Sequence, residues 1–139
     1  MKVVLDTDVF VSGLRSDAGA AAELLRLARH RRLLPIISVP LAIEYEAVAT
    51  RPAQLAASGR TTTEVGEVLD VLLDVALLVP IDYSYRPTAL DPDDDFVLEA
   101  AVNGRADAIV TFNRRDFGAE PSRFGIACLL PREALERLR

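Results

Sequence analysis

Hydrophobic positions along this chain alternate between short continuous runs and longer stretches with helical spacing. Val3-Val4-Leu5 is an unbroken apolar run that stops abruptly at Asp6-Thr7-Asp8, and it is predicted as a first strand. Ala18 to Arg32 is predicted as a helix, with Leu24, Leu25, Leu27 and Ala28 as its apolar stripe and Arg26, Arg29 and Arg31 outside it. Leu34 to Ser38 is a second strand. Pro40, tolerated in a first helical turn, opens a helix that runs through Val48 and stops near Arg51-Pro52. Thr61-Thr62-Thr63-Glu64 fits a capping box ahead of a long helix in which Val65, Val68, Leu69, Leu72, Leu73 and Ala76 recur at helical spacing. Leu77 to Ile81 is a third strand, and the polar, proline-containing stretch from Asp82 to Asp93 is a loop. Phe96 to Val102 is a helix closed by Asn103-Gly104. Ala108 to Thr111 and Ile126 to Leu130 are the fourth and fifth strands, and Pro131 to Leu138 is a terminal helix.

Strands alternating with helices call for an α/β fold: three layers, α/β/α, around a central, mainly parallel sheet of about five strands. No internal repeat, low-complexity tract or dividing linker interrupts the pattern, so residues 1–139 are expected to form a single domain. The composition, 50% hydrophobic and 27% charged, is ordinary for a globular protein of this size. One cysteine, Cys128, in the apolar run Ile126 to Leu130, cannot form an internal disulfide and is expected to be an inert small hydrophobe. No charged-then-apolar leader opens the sequence and no apolar run is long enough to span a bilayer, so a cytoplasmic protein is expected, with no membrane partner.

The net charge of −5 is the wrong sign for a general nucleic-acid coat protein. It leaves room for an enzyme that handles nucleic acid through metal ions and local basic groups. The basic side is almost all arginine; Lys2 is the only lysine. His30, in Arg29-His30-Arg31-Arg32, is best explained as favourable charge at a helix C-terminus.

The candidate chemistry is acidic. Asp6 ends the first strand, Glu44 sits about one turn into the helix after the second, and Asp95 opens the helix before the fourth. Asn113 follows the fourth strand, with Asp116 just beyond. In a parallel sheet such strand ends and helix starts gather along one edge. Ile43 and Ala47 are taken to mark a partly buried side of the Glu44 helix. Carboxylates converging at neutral pH must lose charge or bind cations. An all-oxygen set selects Mg²⁺ or Mn²⁺ over zinc, and a carboxylate-held Mg²⁺ or Mn²⁺ pair is the usual apparatus for attack of water on a phosphodiester. Asp6-x-Asp8 after an apolar strand also fits a haloacid-dehalogenase-type phosphatase, with Asp6 as nucleophile and Asp8 as general acid. That chemistry ordinarily uses a downstream lysine, which this chain lacks.

Four segments carry a family resemblance: Val4-Leu5-Asp6-Thr7-Asp8-Val9-Phe10-Val11-Ser12, Ile43-Glu44-Tyr45-Glu46, Asp91-Pro92-Asp93-Asp94-Asp95, and Ala106 through Phe117. In order and spacing they resemble the PIN-domain ribonucleases, in particular the branch of toxins from toxin–antitoxin pairs related to the VapC toxins. The resemblance covers nearly the whole chain. It implies a Mg²⁺- or Mn²⁺-dependent endoribonuclease that leaves a 5′-phosphate and a 3′-hydroxyl, with Asp6, Glu44 and Asp95 as metal ligands. It also implies RNA as substrate, a cognate antitoxin and a homodimer. Thr111 matches the family's threonine, and Ser12 is a further supporting residue. Asp8 stands where many members carry asparagine and is a candidate for an extra outer carboxylate. The family's fourth acidic position is Asn113 here, so a second ion would depend on the amide oxygen or on Asp94 or Asp116. Arg114-Arg115, beside the acidic edge, are candidate RNA contacts. A degenerate PIN domain that only binds RNA or a partner protein is the other expectation consistent with Asn113.

Overall fold

A computed structural model of the chain describes residues 1–80 and 95–138, with Asp95 described in its backbone alone. Five strands form one sheet: β1 (Lys2–Leu5), β2 (Leu34–Ile37), β3 (Leu77–Leu78), β4 (Ala108–Val110) and β5 (Ala127–Leu129). Their spatial order is β3-β2-β1-β4-β5, and every pairing is parallel. The chain winds outward from β1 to β3, then crosses back to β4 and continues the other way. The order therefore reverses between β1 and β4, where a doubly wound sheet opens a crevice at its carboxyl edge.

Side chains alternate across the sheet and build a separate core on each face. Val4, Ile36 and Ile109 point into a large core with α3 (Val39–Ala49), α5 (Thr62–Val75) and α6 (Asp95–Asn103), which Ile37 at the end of β2 also joins. Val3, Leu5, Ala108, Val110 and Leu129 face a second core with α2 (Ala20–Arg29) and α8 (Pro131–Leu138), and the short α7 (Glu120–Arg123) precedes β5. The three-layer α/β/α arrangement expected from the alternation is what the chain forms. Cys128 lies in β5, and burial pushes its thiol above the ordinary range, in keeping with an inert packing role.

Several local expectations are corrected. Residues that follow β1 form a helix, α1 (Thr7–Arg15), which the sequence reading left unassigned. Its apolar residues Val9, Phe10, Val11 and Leu14 are buried toward both cores, and Asp8, Ser12 and Arg15 recur at helical spacing on its more exposed side. The helix expected to stop at Arg51-Pro52 does end there, but Pro52 opens another, α4 (Pro52–Ser58). The third strand is two residues long where five were expected, and Ile81 and the loop 82–93 lie outside the described residues. On α3 the buried face is Leu41, Tyr45 and Ala49. Ile43 is 64% exposed and Ala47 is exposed, so they do not mark a buried side.

The Thr61 capping box forms as expected, with Thr61 Oγ1 accepting from the Glu64 amide at 3.1 Å and Glu64 Oε1 from the Thr61 amide at 3.0 Å. Gly104 closes α6 for a different reason than a left-handed turn. The positive φ falls on Arg105, at 53°. A Cβ on Gly104 would lie 2.6 Å from Ile36 Cγ2, so glycine is needed for close approach of the helix end to β2.

Candidate active site

The carboxyl edge of β1 and β4 is built from short polar links. The Asp6 amide donates to the Val110 carbonyl at 2.8 Å, which continues the β1–β4 ladder one residue past the strand. Asp6 then leaves the sheet as the N-cap of α1 and is 5% exposed. Its Oδ1 accepts from the Thr7 amide at 2.8 Å and its Oδ2 from Thr111 Oγ1 at 2.7 Å. The Thr7 hydroxyl donates to Glu44 Oε2 at 2.6 Å, so one threonine holds both carboxylates, Asp6 through its amide and Glu44 through its side chain. Behind them, the Tyr45 hydroxyl donates to the Leu5 carbonyl, and the Tyr45 ring stacks on Phe10 at 4.7 Å. Tyr45 follows Glu44 and Leu5 precedes Asp6, so this buried bond ties the two acidic segments together. Burial pushes the Tyr45 phenol well above 10, and the charges of Asp6 and Glu44 reinforce it.

Asp8 lies in the first turn of α1. Its Oδ2 accepts from Asn113 Nδ2 at 3.3 Å, and its Oδ1 is buried with no donor. Burial raises the Asp8 carboxyl above its usual range, and the charge of Asp116 adds to the effect; contact with the Asp6 carboxyl and the Val9 amide oppose it. The Asn113 amide is held in turn by Thr111 Oγ1 at 2.9 Å. Thr111 thus donates to Asp6 and accepts from Asn113. Asp6, Thr7, Asp8, Glu44, Asn113 and Asp116 line one cleft of about 370 Å³.

This cleft, at the switch point of a parallel sheet, falls, apart from Asp116, within a match to a family model. The model, for the PIN domain, covers residues 2–115. The chain belongs to the PIN-domain family. Comparison with curated proteins finds no match. PIN domains are in general metal-dependent nucleases that act on RNA and bind Mg²⁺ or Mn²⁺, so the family gives this cleft a nuclease-like setting. β5 and α8 follow the matched residues and complete the same PIN-domain sheet and its second core.

Of the residues singled out from the PIN domain's sequence, Asp6, Asp8, Glu44, Asn113 and Asp116 meet at the cleft, and Thr111 orients two of them. Ser12 is half-buried on α1 and is not among the residues lining the cleft. Arg114 is engaged with Glu133 at 3.2 Å, and Arg115 is exposed beside it. Asp94 lies outside the described residues. Asp95 begins α6, which packs against β1 and β4, and nothing further is described of it. Among the described residues no group of three His, Cys, Asp or Glu side chains is close enough to hold a metal ion. The residues present nonetheless have the chemistry of a hard-cation site: oxygen donors alone, one of them a buried carboxylate oxygen with no hydrogen-bond donor. No helix among the described residues is long and apolar enough to cross a membrane.

The sequence reading missed four contributors. Thr7 was noted only as a spacer between two aspartates, yet it is the shared donor. Tyr45 gave no signal beyond its place after Glu44. Arg15 and Arg51 line the same cleft, as does Gln54. Their spacing of seven residues from Asp8 and Glu44 was the available clue.

Proposed function

We propose that this PIN domain is a Mg²⁺- or Mn²⁺-dependent endoribonuclease, the toxin of a toxin–antitoxin pair. The observation that carries the reading is the shared-threonine arrangement: Thr7 and Thr111 hold Asp6 and Glu44 at the mouth of the β1–β4 crevice, beside the donor-less Asp8 Oδ1. Asp6, Glu44 and Asp95 are the metal ligands in this reading, with Asn113 as a neutral oxygen donor and Asp8, Asp94 and Asp116 as further carboxylates. When bound, Mg²⁺ or Mn²⁺ supplies neutralisation of the clustered charge and activation of water for attack on phosphorus. Thr7 and Thr111 fix the carboxylate rotamers before any cation arrives, which reduces the ordering cost of binding. Ser12 supports the first helix, and Arg114 and Arg115 lie where RNA would leave the acidic edge. The remaining parts of the proposal are one domain over residues 1–139, a homodimer, an antitoxin partner and a cytoplasmic location.

The phosphatase reading is disfavoured by two contacts. Both Asp6 oxygens accept hydrogen bonds within a nearly closed environment, which suits a held ligand better than an attacking group. The only lysine, Lys2, sits at the opposite end of β1 with Nζ on the Gly104 carbonyl at 3.4 Å. A degenerate, binding-only PIN domain is favoured by a single observation, the use of the Asn113 amide to hold Asp8. Cleavage of total RNA with Mn²⁺ separates the readings. Wild type should cut, and Asp95→Asn and Asp6→Asn should each lose most of the activity. Equal cleavage by all three overturns the metal-site assignment. No cleavage by wild type, with no Mn²⁺-induced rise in melting temperature, favours the binding-only domain.

A further inference from the structure

The cleft that holds the carboxylates has a second, basic end. On α1, Asp8, Val11 and Arg15 follow one another along the face that lines it; from α3 into α4, Glu44, Val48 and Arg51 do the same. Each stripe runs acid, valine, arginine over seven residues. At 1.5 Å per residue, Arg15 lies about 10 Å along α1 from Asp8. The two arginines therefore line the cleft beyond Val11 and Val48.

Their place in the acidic cleft sets them apart from the other described arginines. Arg26, Arg60, Arg114 and Arg123 each pair with a carboxylate within 4.0 Å. Neither Arg15 nor Arg51 makes an ion pair with a described residue, although a run of carboxylates lies in the same cleft. Beside them Gln54 Oε1 is buried with no donor. Among the described residues, it and Asp8 Oδ1 are the buried side-chain oxygens left in that state, and both line this cleft. A buried carbonyl oxygen without a donor is costly and marks a place where a ligand donor belongs.

We propose that Arg15, Arg51 and Gln54 form a nucleotide subsite for RNA next to the scissile position. The two guanidinium groups grip the phosphate of a neighbouring nucleotide, and Gln54 Oε1 accepts a hydrogen bond from a ribose 2′-hydroxyl. Phosphate suits the paired arginines because each guanidinium presents planar N–H donors to its oxygens. The 2′-hydroxyl suits Gln54 because its buried oxygen lacks a donor among the described residues and lines the same cleft, and RNA carries a hydroxyl donor beside each phosphate. That hydroxyl is the donor by which a protein distinguishes RNA from DNA. The proposal rests on the ribonuclease reading above and adds to it a contact that positions the strand and selects its sugar.

The test uses a labelled single-stranded RNA fragment spanning a site that the wild-type protein cuts in total RNA with Mn²⁺. The Arg15→Ala/Arg51→Ala double variant should raise KM by at least about tenfold, with kcat little changed. Losing the grip on one phosphate of a single strand should also flatten the log–log salt dependence of kcat/KM by about 0.7. Replacing one ribose beside the cut with deoxyribose should raise KM for wild type by about threefold to tenfold and leave Gln54→Ala unaffected. Unchanged melting curves confirm that the variants fold; both arginines are exposed. Wild-type KM and salt slope in the double variant overturn the arginine grip. Equal sensitivity of Gln54→Ala and wild type to every deoxy position overturns the sugar contact. A wild-type protein that cuts no RNA overturns the nuclease reading itself, and the subsite with it.

Discussion

The Tyr45 hydroxyl joins stability to the site, and Tyr45→Phe isolates it. The substitution keeps the ring that stacks on Phe10 at 4.7 Å and removes only the donor to the Leu5 carbonyl. Tyr45 is 1% exposed, so the Leu5 carbonyl gains no water in exchange. Leaving a buried acceptor unmet costs about 1–3 kcal/mol, which is the expected loss at neutral pH. The pH dependence gives a second signature. The phenol titrates near 10 in the unfolded chain and well above 10 in the folded one, because burial and the charges of Asp6 and Glu44 oppose ionisation. Between those two values the native state keeps a proton that the unfolded state releases. This stability is therefore fully present below pH 10 and is lost as pH rises, at up to about 1.4 kcal/mol per pH unit. Tyr45→Phe has no such proton. Urea unfolding followed by circular dichroism should show wild type ahead at neutral pH, with the gap closing within about one to two pH units above 10. A gap that stays constant into the alkaline range would refute the buried-proton argument, and no gap at neutral pH would refute the bond's contribution.

Three further substitutions test other links. Thr111→Val keeps the shape in the strand but removes the donor to Asp6 Oδ2 and the acceptor of the Asn113 amide; Mn²⁺ affinity measured by calorimetry should fall about 10- to 100-fold, and unchanged affinity would show that Thr111 does not orient the ligand. Asp8→Asn relieves a carboxyl whose ionisation is opposed by burial and by Asp116; without divalent ions the variant should melt at a higher temperature than wild type, yet gain less from added Mn²⁺, and a lower melting temperature would contradict the reading. Gly104→Ala forces a Cβ within 2.6 Å of Ile36 Cγ2, a stiff β-branched group in the core; it should cost about 1–3 kcal/mol in urea unfolding, and a neutral result would show that the helix end can shift away from β2.

The sheet was legible in the sequence because strands buried on both faces leave unbroken apolar runs, and Val3 to Leu5 and Ala108 to Val110 are of that kind. Helix α5 was legible through its capping box and its one-sided stripe. Helix α1 carries the same kind of signal, with Asp8, Ser12 and Arg15 at helical spacing on one side, and was missed because it follows β1 with only Asp6 between them. The α3 face misled for another reason. Ile43 and Val39 are both large and apolar, yet both are solvent-exposed, so apolar type did not report burial. At the site, strand-end position pointed to Asp6 and the family resemblance to Thr111, and topology brings the ends of β1 and β4 together. The donor network was hidden, because Thr7 contacts Glu44 across 37 residues and no local pattern encodes that pairing.

Asn113 is the place where local chemistry and family pattern pull apart, and the geometry resolves part of the tension. An amide in place of a carboxylate removes a charge from the cleft. A carboxylate at Asp8, where asparagine is common among the proteins the chain resembles, restores one. The two exchanged groups are joined: Asn113 Nδ2 donates to Asp8 Oδ2, which two carboxylates could not do without a shared proton. The pair therefore keeps the negative charge of the acidic edge and moves it from the end of β4 to the first turn of α1. There the charge is partly buried, costly, and left with an oxygen that no protein donor meets. A fold that served only to bind a partner would gain stability by making Asp8 neutral as well. Under the proposed reading, a carboxylate in that position is the charge that a bound cation would neutralise.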